Sequence, residues 1–195
     1  MKLGLLGGTF DPVHIGHLIL GETAREQLGL DSVLFMPTGQ PWRKSGRDIT
    51  PAAHRVEMLR RAIADNPAFE LSLLEVEREG PSYTVDTLQE LVRARPGSDI
   101  FFVIGEDSLL DLPHWKAPQR VVELATLAVA ARGPDRVETG EVAGYVRDRT
   151  VWLDMPLVDT SATAVRERVR RGRSIRYLVP EAVRRYIGDN GLYRK

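Results

Sequence analysis

Lys2-Leu3-Gly4-Leu5-Leu6-Gly7-Gly8-Thr9-Phe10-Asp11-Pro12-Val13-His14-Ile15-Gly16-His17 is the stretch from which the rest of the chain can be read. Residues 2–6 read as a buried strand that ends in the pair Gly7-Gly8. A helical stretch follows over residues 14–27, closed by Gly29. Glycines at such a strand end let backbone N–H groups approach a phosphate closely, and the helix start adds partial positive charge. His14 and His17 are three positions apart, so they share one face of a helix. Gly16 between them is expected to leave room for a ligand. Two imidazoles there can donate hydrogen bonds to a phosphate whose charge grows in a transition state. The run lacks the Lys-Ser/Thr ending of a Walker loop and the full spacing of a dinucleotide fingerprint. Two histidines without a third nearby ligand make a weak metal site, so no protein metal ligand is assigned.

Working outward, strands are expected at 32–36, 69–76, 100–104, 127–131 and 151–153. Helices are expected between them at 51–65, with Thr50 as N-cap, and at 83–94, 105–112, 119–124 and, weakly, 137–146. Residues 38–48 are rich in Gly, Pro and charge and read as a loop. The alternation predicts an α/β fold, a Rossmann-like doubly wound parallel sheet with helices on both faces. Ligands of such sheets bind beyond the carboxyl ends of the strands, where the strand order reverses. From Ser161 two helices, 162–171 and 180–189, follow with no strand between them. One domain over 1–195 is expected, with a Rossmann-like core over 1–158 and a small C-terminal helical cap over 159–195.

The 195 residues suffice for a core without staples, and the chain has no cysteine, which removes disulfides and thiolate chemistry. Lys plus Arg and Asp plus Glu both number 27, so no overall field draws the chain to nucleic acid or membrane. The opening apolar run is too short for a signal peptide, and no stretch is long enough to span a bilayer. A cytoplasmic protein with neither nucleic-acid nor membrane partners is expected.

Three further segments carry candidate groups. In Asp159-Thr160-Ser161-Ala162-Thr163-Ala164-Val165-Arg166, Ser161 and Thr163 can cap a helix whose start faces anions, with Arg166 one turn in. The residues alone fit either a phosphate clamp or a plain cap ahead of a solvated basic helix. Gly105-Glu106-Asp107-Ser108 follows a strong strand, where a carboxylate can accept from ribose hydroxyls or cap the next helix. Pro81-Ser82-Tyr83-Thr84-Val85-Asp86-Thr87 reads as a helix start, with Asp86 and Thr87 facing solvent or capping. Trp115 offers a flat face for an aromatic ring or fills a hinge. Trp152 reads as core, and His54 as structural or exposed.

His14-Ile15-Gly16-His17 resembles the HIGH signature of the nucleotidyltransferase superfamily, and the whole run from Gly7 to His17 resembles the opening of bacterial nicotinate-nucleotide adenylyltransferases. The resemblance implies that Gly7, Gly8, Thr9, Phe10, His14, His17, Gly105, Asp107, Ser161, Thr163 and Arg166 bind ATP. Ser161, Thr163 and Arg166 match an Ile-Ser-Ser-Thr-x-Ile-Arg type of triphosphate motif, with Thr160, Ala162 and Val165 in place of commoner residues. It further implies that Lys44, Tyr83, Thr84, Trp115 and Arg132 bind nicotinate mononucleotide, and that His14, His17, Lys44 and Arg166 form the catalytic set. Two departures stand out. Arg43 occupies the place of an expected histidine, and Arg132-Gly133-Pro134 exchanges the last two residues of an Arg-Pro-Gly.

The implied reaction moves AMP from ATP to nicotinate mononucleotide, giving deamido-NAD and pyrophosphate, with Mg²⁺ brought by ATP and no covalent intermediate. Homo-oligomers are compatible with the family. The competing readings are the same chemistry on nicotinamide mononucleotide or phosphopantetheine, a class I synthetase fragment, and a nucleotide sensor without turnover. The chain has no Lys-Met-Ser-Lys-Ser loop to support the synthetase reading.

Overall fold

The computed structural model describes residues 1–40, 49–131 and 143–194. Among them six strands form one sheet: β1 (Lys2–Gly8), β2 (Ser32–Pro37), β3 (Phe69–Leu71), β4 (Asp99–Gly105), β5 (Thr126–Ala130) and β6 (Thr150–Leu153). Their order is β3-β2-β1-β4-β5-β6, and every neighbouring pair is parallel. The order reverses between β1 and β4, which is the expected ligand-binding crevice of a doubly wound sheet. The helices are α1 (Ile15–Leu28), α2 (Ala52–Ile63), α3 (Leu74–Glu77), α4 (Thr84–Ala94), α5 (Glu106–Asp111), α6 (Pro118–Leu124), α7 (Gly144–Arg147), α8 (Ala162–Arg170) and α9 (Glu181–Asp189), with a 3₁₀ turn at Leu112–His114.

The strands alternate their side chains between two cores, as a pleat of period two requires. Leu6, Val33, Phe35, Val103 and Ala128 face one core, filled by α1, α2, α8 and α9 through Ala24, Met58, Val165 and Ile187. Leu3, Leu5, Leu34, Met36, Phe102, Leu127 and Val129 face the other, filled by α4, α5, α6 and α7 through Leu88, Leu109, Val121 and Val146. Residues from both C-terminal helices therefore lie in a core shared with the sheet. Gly29, at φ 61°, ends α1 with its N–H on the Arg25 carbonyl, the left-handed conformation glycine adopts without strain. No helix is long and apolar enough to cross a membrane among the described residues.

Several expected boundaries change. The third strand stops at Leu71, and residues from Leu74 turn into α3, with the Leu74 N–H on the Ser72 hydroxyl. An edge strand has only one partner, and here β2 offers pairing to just three residues. Pro51, not Thr50, occupies the N-cap of α2, because Thr50 directs its N–H to Asp11 and its carbonyl to Arg55. Thr87 faces the interior, with 1% of its surface exposed, and Asp86 is half-buried in a pair with Lys116. The expected helix over 137–146 is observed as Gly144–Arg147, its earlier part lying outside the described residues.

The parallel ladders around β1 have unequal lengths. Pairing with β2 runs to Gly8↔Pro37, but pairing with β4 ends at Leu5↔Phe102. Beyond Leu5 the two strands part and leave a gap in the sheet. The chain after β2 packs closely on α3, and at Gly39 an added Cβ would lie 2.0 Å from the Glu75 carbonyl oxygen. That atom is backbone and cannot step aside cheaply. Gly39→Ala is therefore expected to lower stability by about 3 kcal/mol, the upper end for overpacking. Thermal or urea unfolding of the variant beside the parent checks it.

Candidate active site

The glycine turn after β1 divides the site into two sides. On the first side, His14 is the N-cap of α1 and its backbone N–H donates to Nδ1 of His17 at 3.2 Å. A ring nitrogen that accepts carries no proton, so neutral His17 keeps its proton on Nε2. The two rings lie with centroids 3.7 Å apart. His14 is only 8% exposed, and burial pulls its pKa down to about 4, so it is neutral at pH 7. Its Nδ1 is buried and finds no hydrogen-bond partner among the described residues. The space at Gly16 is taken by protein rather than left for a ligand: a Cβ there would meet Nδ1 of His14 at 3.1 Å and the Thr160 methyl at 3.4 Å. Glycine thus allows the His14 ring to fold against its own helix and α8 to approach.

The start of α8 reaches the same side. Ser161 is its N-cap and accepts from the Ala164 N–H at 3.1 Å. Arg166 donates to the Asp11 carbonyl at 2.7 Å and to the Thr163 hydroxyl at 3.3 Å. The guanidinium is thereby held beside the turn that carries the histidines. The C-terminal segment adds Leu178, whose carbonyl accepts the Ile15 N–H at 3.0 Å. Tyr193 donates its hydroxyl to Oδ1 of Asp11 at 2.7 Å, and burial followed by this carboxylate pushes its pKa up. The Phe10 ring is turned into the core, edge-on to His17 at 4.9 Å, so this side chain forms floor rather than wall.

On the second side, the gap between β1 and β4 opens into a cleft of about 310 Å³. Its floor is Leu5, Gly7, Phe102 and Ile104, and its rim next to the histidines is Gly8 and Thr9. Thr84, the first residue of α4, and half-buried Trp115 stand across from them. Trp115 is fixed by a bond from Nε1 to Asp111 at 2.9 Å and by an edge contact with Phe102 at 6.1 Å. Tyr83 is the N-cap of α4, its ring 4.7 Å from the Lys116 ammonium, and it does not line the cleft. Gly105 is the N-cap of α5 and Asp107 is exposed in its first turn; it is Ser108 that lines the cleft. Lys44, Arg43 and Arg132 lie outside the described residues.

Sequence reasoning missed a polar wall of this cleft: Thr38, Glu75, Ser82 and Thr87. Thr87 donates to Glu75 at 2.8 Å and accepts from Arg78 at 2.9 Å. Burial pushes the Glu75 carboxyl up, against the hydroxyl of Thr87 and the charge of Arg78. Glu75 is the one ionisable side chain among the described residues lining the cleft. Reading residues 69–76 as strand hid it, since it places Glu75 by alternation rather than on a helix turned inward. Buried Arg55 was also missed, although it breaks the apolar stripe of α2 formed with Met58, Leu59 and Ala62 at helical spacing. The arrangement can hold a flat ring in the cleft and phosphates along the glycine turn, with histidine and arginine donors beyond it.

The chain is similar over most of its length to known proteins. Residues 5–168 match the cytidylyltransferase-like family. A protein of Thermomicrobium roseum named "Probable nicotinate-nucleotide adenylyltransferase" is 48% identical over 196 residues, covering 99% of this chain and 92% of its own. One of the same name from Exiguobacterium sibiricum is 47% identical over 193 residues, covering 99% of each. The solved nicotinic acid mononucleotide adenylyltransferase of Plasmodium falciparum, in complex with NaAD, superposes with a TM-score of 0.82 over 98% of this chain and 97% of its own. At 16% identity that likeness concerns the fold. With almost its whole length aligned to such relatives, the chain belongs to the nicotinate-nucleotide adenylyltransferase family.

Proposed function

We propose that this protein transfers the AMP unit of ATP to nicotinate mononucleotide, forming deamido-NAD and pyrophosphate for NAD biosynthesis. The observation that carries the residue-level reading is the adjacency of two unlike half-sites across one glycine turn. The cleft with Trp115 and Thr84 lies on one side of Gly8-Thr9, and His14, His17 and Arg166 lie on the other. A phosphate oxygen of the mononucleotide attacks the α-phosphorus of ATP. The bond from that phosphorus to the oxygen bridging to the β-phosphate breaks, and pyrophosphate leaves with the bonding electrons. Catalysis is positioning and charge stabilisation, with no protein nucleophile.

In this reading the pyridine ring lies against Trp115 and its carboxylate meets the start of α4 at Thr84, where first-turn N–H groups favour an anion. The backbone of Gly7, Gly8 and Thr9, with Phe10 as floor, cradles ATP phosphates. Nε2–H of His17 and the ring of His14 donate to them, and Ser161, Thr163 and Arg166 hold the outer phosphates. Gly105 and Asp107 face the adenosine, Tyr83 steadies the start of α4, and Lys44 and Arg132 neutralise the reacting phosphates. Mg²⁺ arrives bound to the ATP phosphates; among the described residues no three His, Asp or Glu side chains are grouped to hold a metal. Residues 159–195 act as one unit with 1–158, the protein works in the cytoplasm without nucleic-acid or membrane partners, and self-association is compatible with the reading.

Pyrophosphate release from MgATP is expected with nicotinate mononucleotide and not with phosphopantetheine, and more weakly with nicotinamide mononucleotide, whose amide would leave carboxylate-binding donors poorly paired. His17→Ala is expected to lower kcat by about 100- to 1000-fold, as losing one transition-state donor does. Release only with another acceptor would keep the chemistry and overturn the assignment of Thr84 and Trp115. ATP binding without release from any acceptor would favour a nucleotide sensor.

The neutral state of His14 gives a second expectation. Bound phosphates favour the imidazolium, so the pKa rises from about 4 on binding, and protons are taken up between the free and bound values. MgATP affinity is therefore expected to increase as pH falls from neutrality towards the free His14 value, with net proton uptake on binding. Calorimetry in two buffers of different ionisation enthalpy measures it, and His14→Asn should abolish the difference.

A further inference from the structure

Arg55 is 2% exposed, and among the described residues its donors go to carbonyls and not to a carboxylate. Nε donates to the Thr50 carbonyl at 2.9 Å, one terminal nitrogen to the Thr9 carbonyl at 2.8 Å, and the other to the Gly39 carbonyl at 3.4 Å. These three carbonyls belong to two connections: the turn after β1, and the β2–α2 connection at both its ends, just after β2 and at the entry to α2. Burial opposes the guanidinium charge, and the nearby Asp11 carboxylate supports it. Asp11 in turn accepts from the Thr50 N–H at 3.2 Å and from Tyr193, while its carbonyl holds Arg166. A buried cation is a costly way to fill space, and an apolar residue of the same length would fill it more cheaply. The planar guanidinium spreads five N–H donors over three nitrogens and can join carbonyls that lie apart, whereas an ammonium directs its three donors from a single atom.

Thr9 lines the cleft, and Gly39 follows Thr38, which lines it too. Asp11 anchors the guanidinium placed beside the histidines. Every connection that Arg55 ties together therefore borders one or other half-site. We propose that Arg55 is a positioning residue: it touches neither substrate, but fixes the glycine turn against both ends of the β2–α2 connection and, through Thr50 and Asp11, sets the place of Arg166. The proposal rests on the adenylyl-transfer reading for its kinetic readout, and on ATP binding independently of it.

The test uses the full chain with Arg55→Lys and Arg55→Met. Lysine keeps the charge but gathers its three donors on one atom, so it cannot reproduce bonds that leave from three separate nitrogens. Methionine matches the stem and leaves no buried charge, so it provides a folded variant even where lysine is poorly accommodated. Folding is followed by circular dichroism and melting, MgATP affinity by calorimetry, and kcat by pyrophosphate release per folded enzyme. The expected result is a kcat about 100-fold below the parent in both variants, the scale of an ångström's misplacement. MgATP affinity is expected to fall about tenfold, lysine to give no rescue, and the methionine variant to melt below the parent, since the Thr9, Gly39 and Thr50 carbonyls lose their donor. A folded variant whose kcat and MgATP affinity stay within threefold of the parent overturns the proposal, as does a loss confined to melting temperature. Recovery in Arg55→Lys alone overturns it in favour of a pure charge effect. A parent that binds MgATP but releases no pyrophosphate overturns the functional reading instead, and the affinities of the two variants then decide the role of Arg55 by the same criteria.

Discussion

A strand paired on both edges can offer ligand-binding backbone only at its end, and β1 is paired on both edges. Its ladder with β4 stops at Leu5 while its ladder with β2 continues to Gly8. This inequality leaves Gly7 alongside a gap, and the cleft occupies that gap, between Gly7 and the Phe102 and Ile104 side chains. It also sets the direction of the turn that follows, because Gly8 remains tied to the β2 side through the Thr38 N–H on its carbonyl. The histidines, the start of α8 and the aromatic wall of the cleft all depend on where this turn runs.

The sheet was legible because buried parallel strands are short apolar runs separated by amphipathic helices, a pattern that local composition carries without tertiary information. The turn was legible because glycine pairs, histidine spacing and a helix start are themselves local. What stayed hidden depended on long-range packing. Glu75 looks like a strand residue until Gly39 is seen pressed against its carbonyl, and no window around Glu75 contains Gly39. Thr87 looks like a surface cap residue until Glu75 and Arg78 close over it. Gly16 looks like ligand space, and the residue that takes up part of that space, Thr160, is far away in sequence. Arg55 gave a local sign, a charge on an apolar stripe, but its partners are scattered over two connections.

The C-terminal segment has two physical tasks in this fold. Val165, Ile175, Val179, Val183 and Ile187 complete the core under α1 and α2, which the sheet alone leaves open. Leu178 and Tyr193 then place a carbonyl on the first N–H of α1 and a hydroxyl on Asp11. The first N–H groups of a helix need partners, and here one of them is met from the far end of the chain. Packing and positioning are thus coupled: residues that bury apolar surface also bring the groups that hold the glycine turn.

The two half-sites differ in how they can bind anions. Beside the histidines stand Arg166 and a helix start, which suit the concentrated charge of a polyphosphate. The described lining of the cleft contains no cation, and its single ionisable group is an acid that burial pushes toward its neutral form. A carboxylate entering that cleft must be met by oriented N–H and hydroxyl dipoles instead of by charge. Such donors discriminate by direction: they pair with a planar carboxylate and are left unsatisfied by a group that turns N–H toward them. In the proposed reading, cations of the described residues gather beside the histidines, where a polyphosphate fits, while the described lining of the cleft offers dipoles, and this difference helps to sort the two substrates.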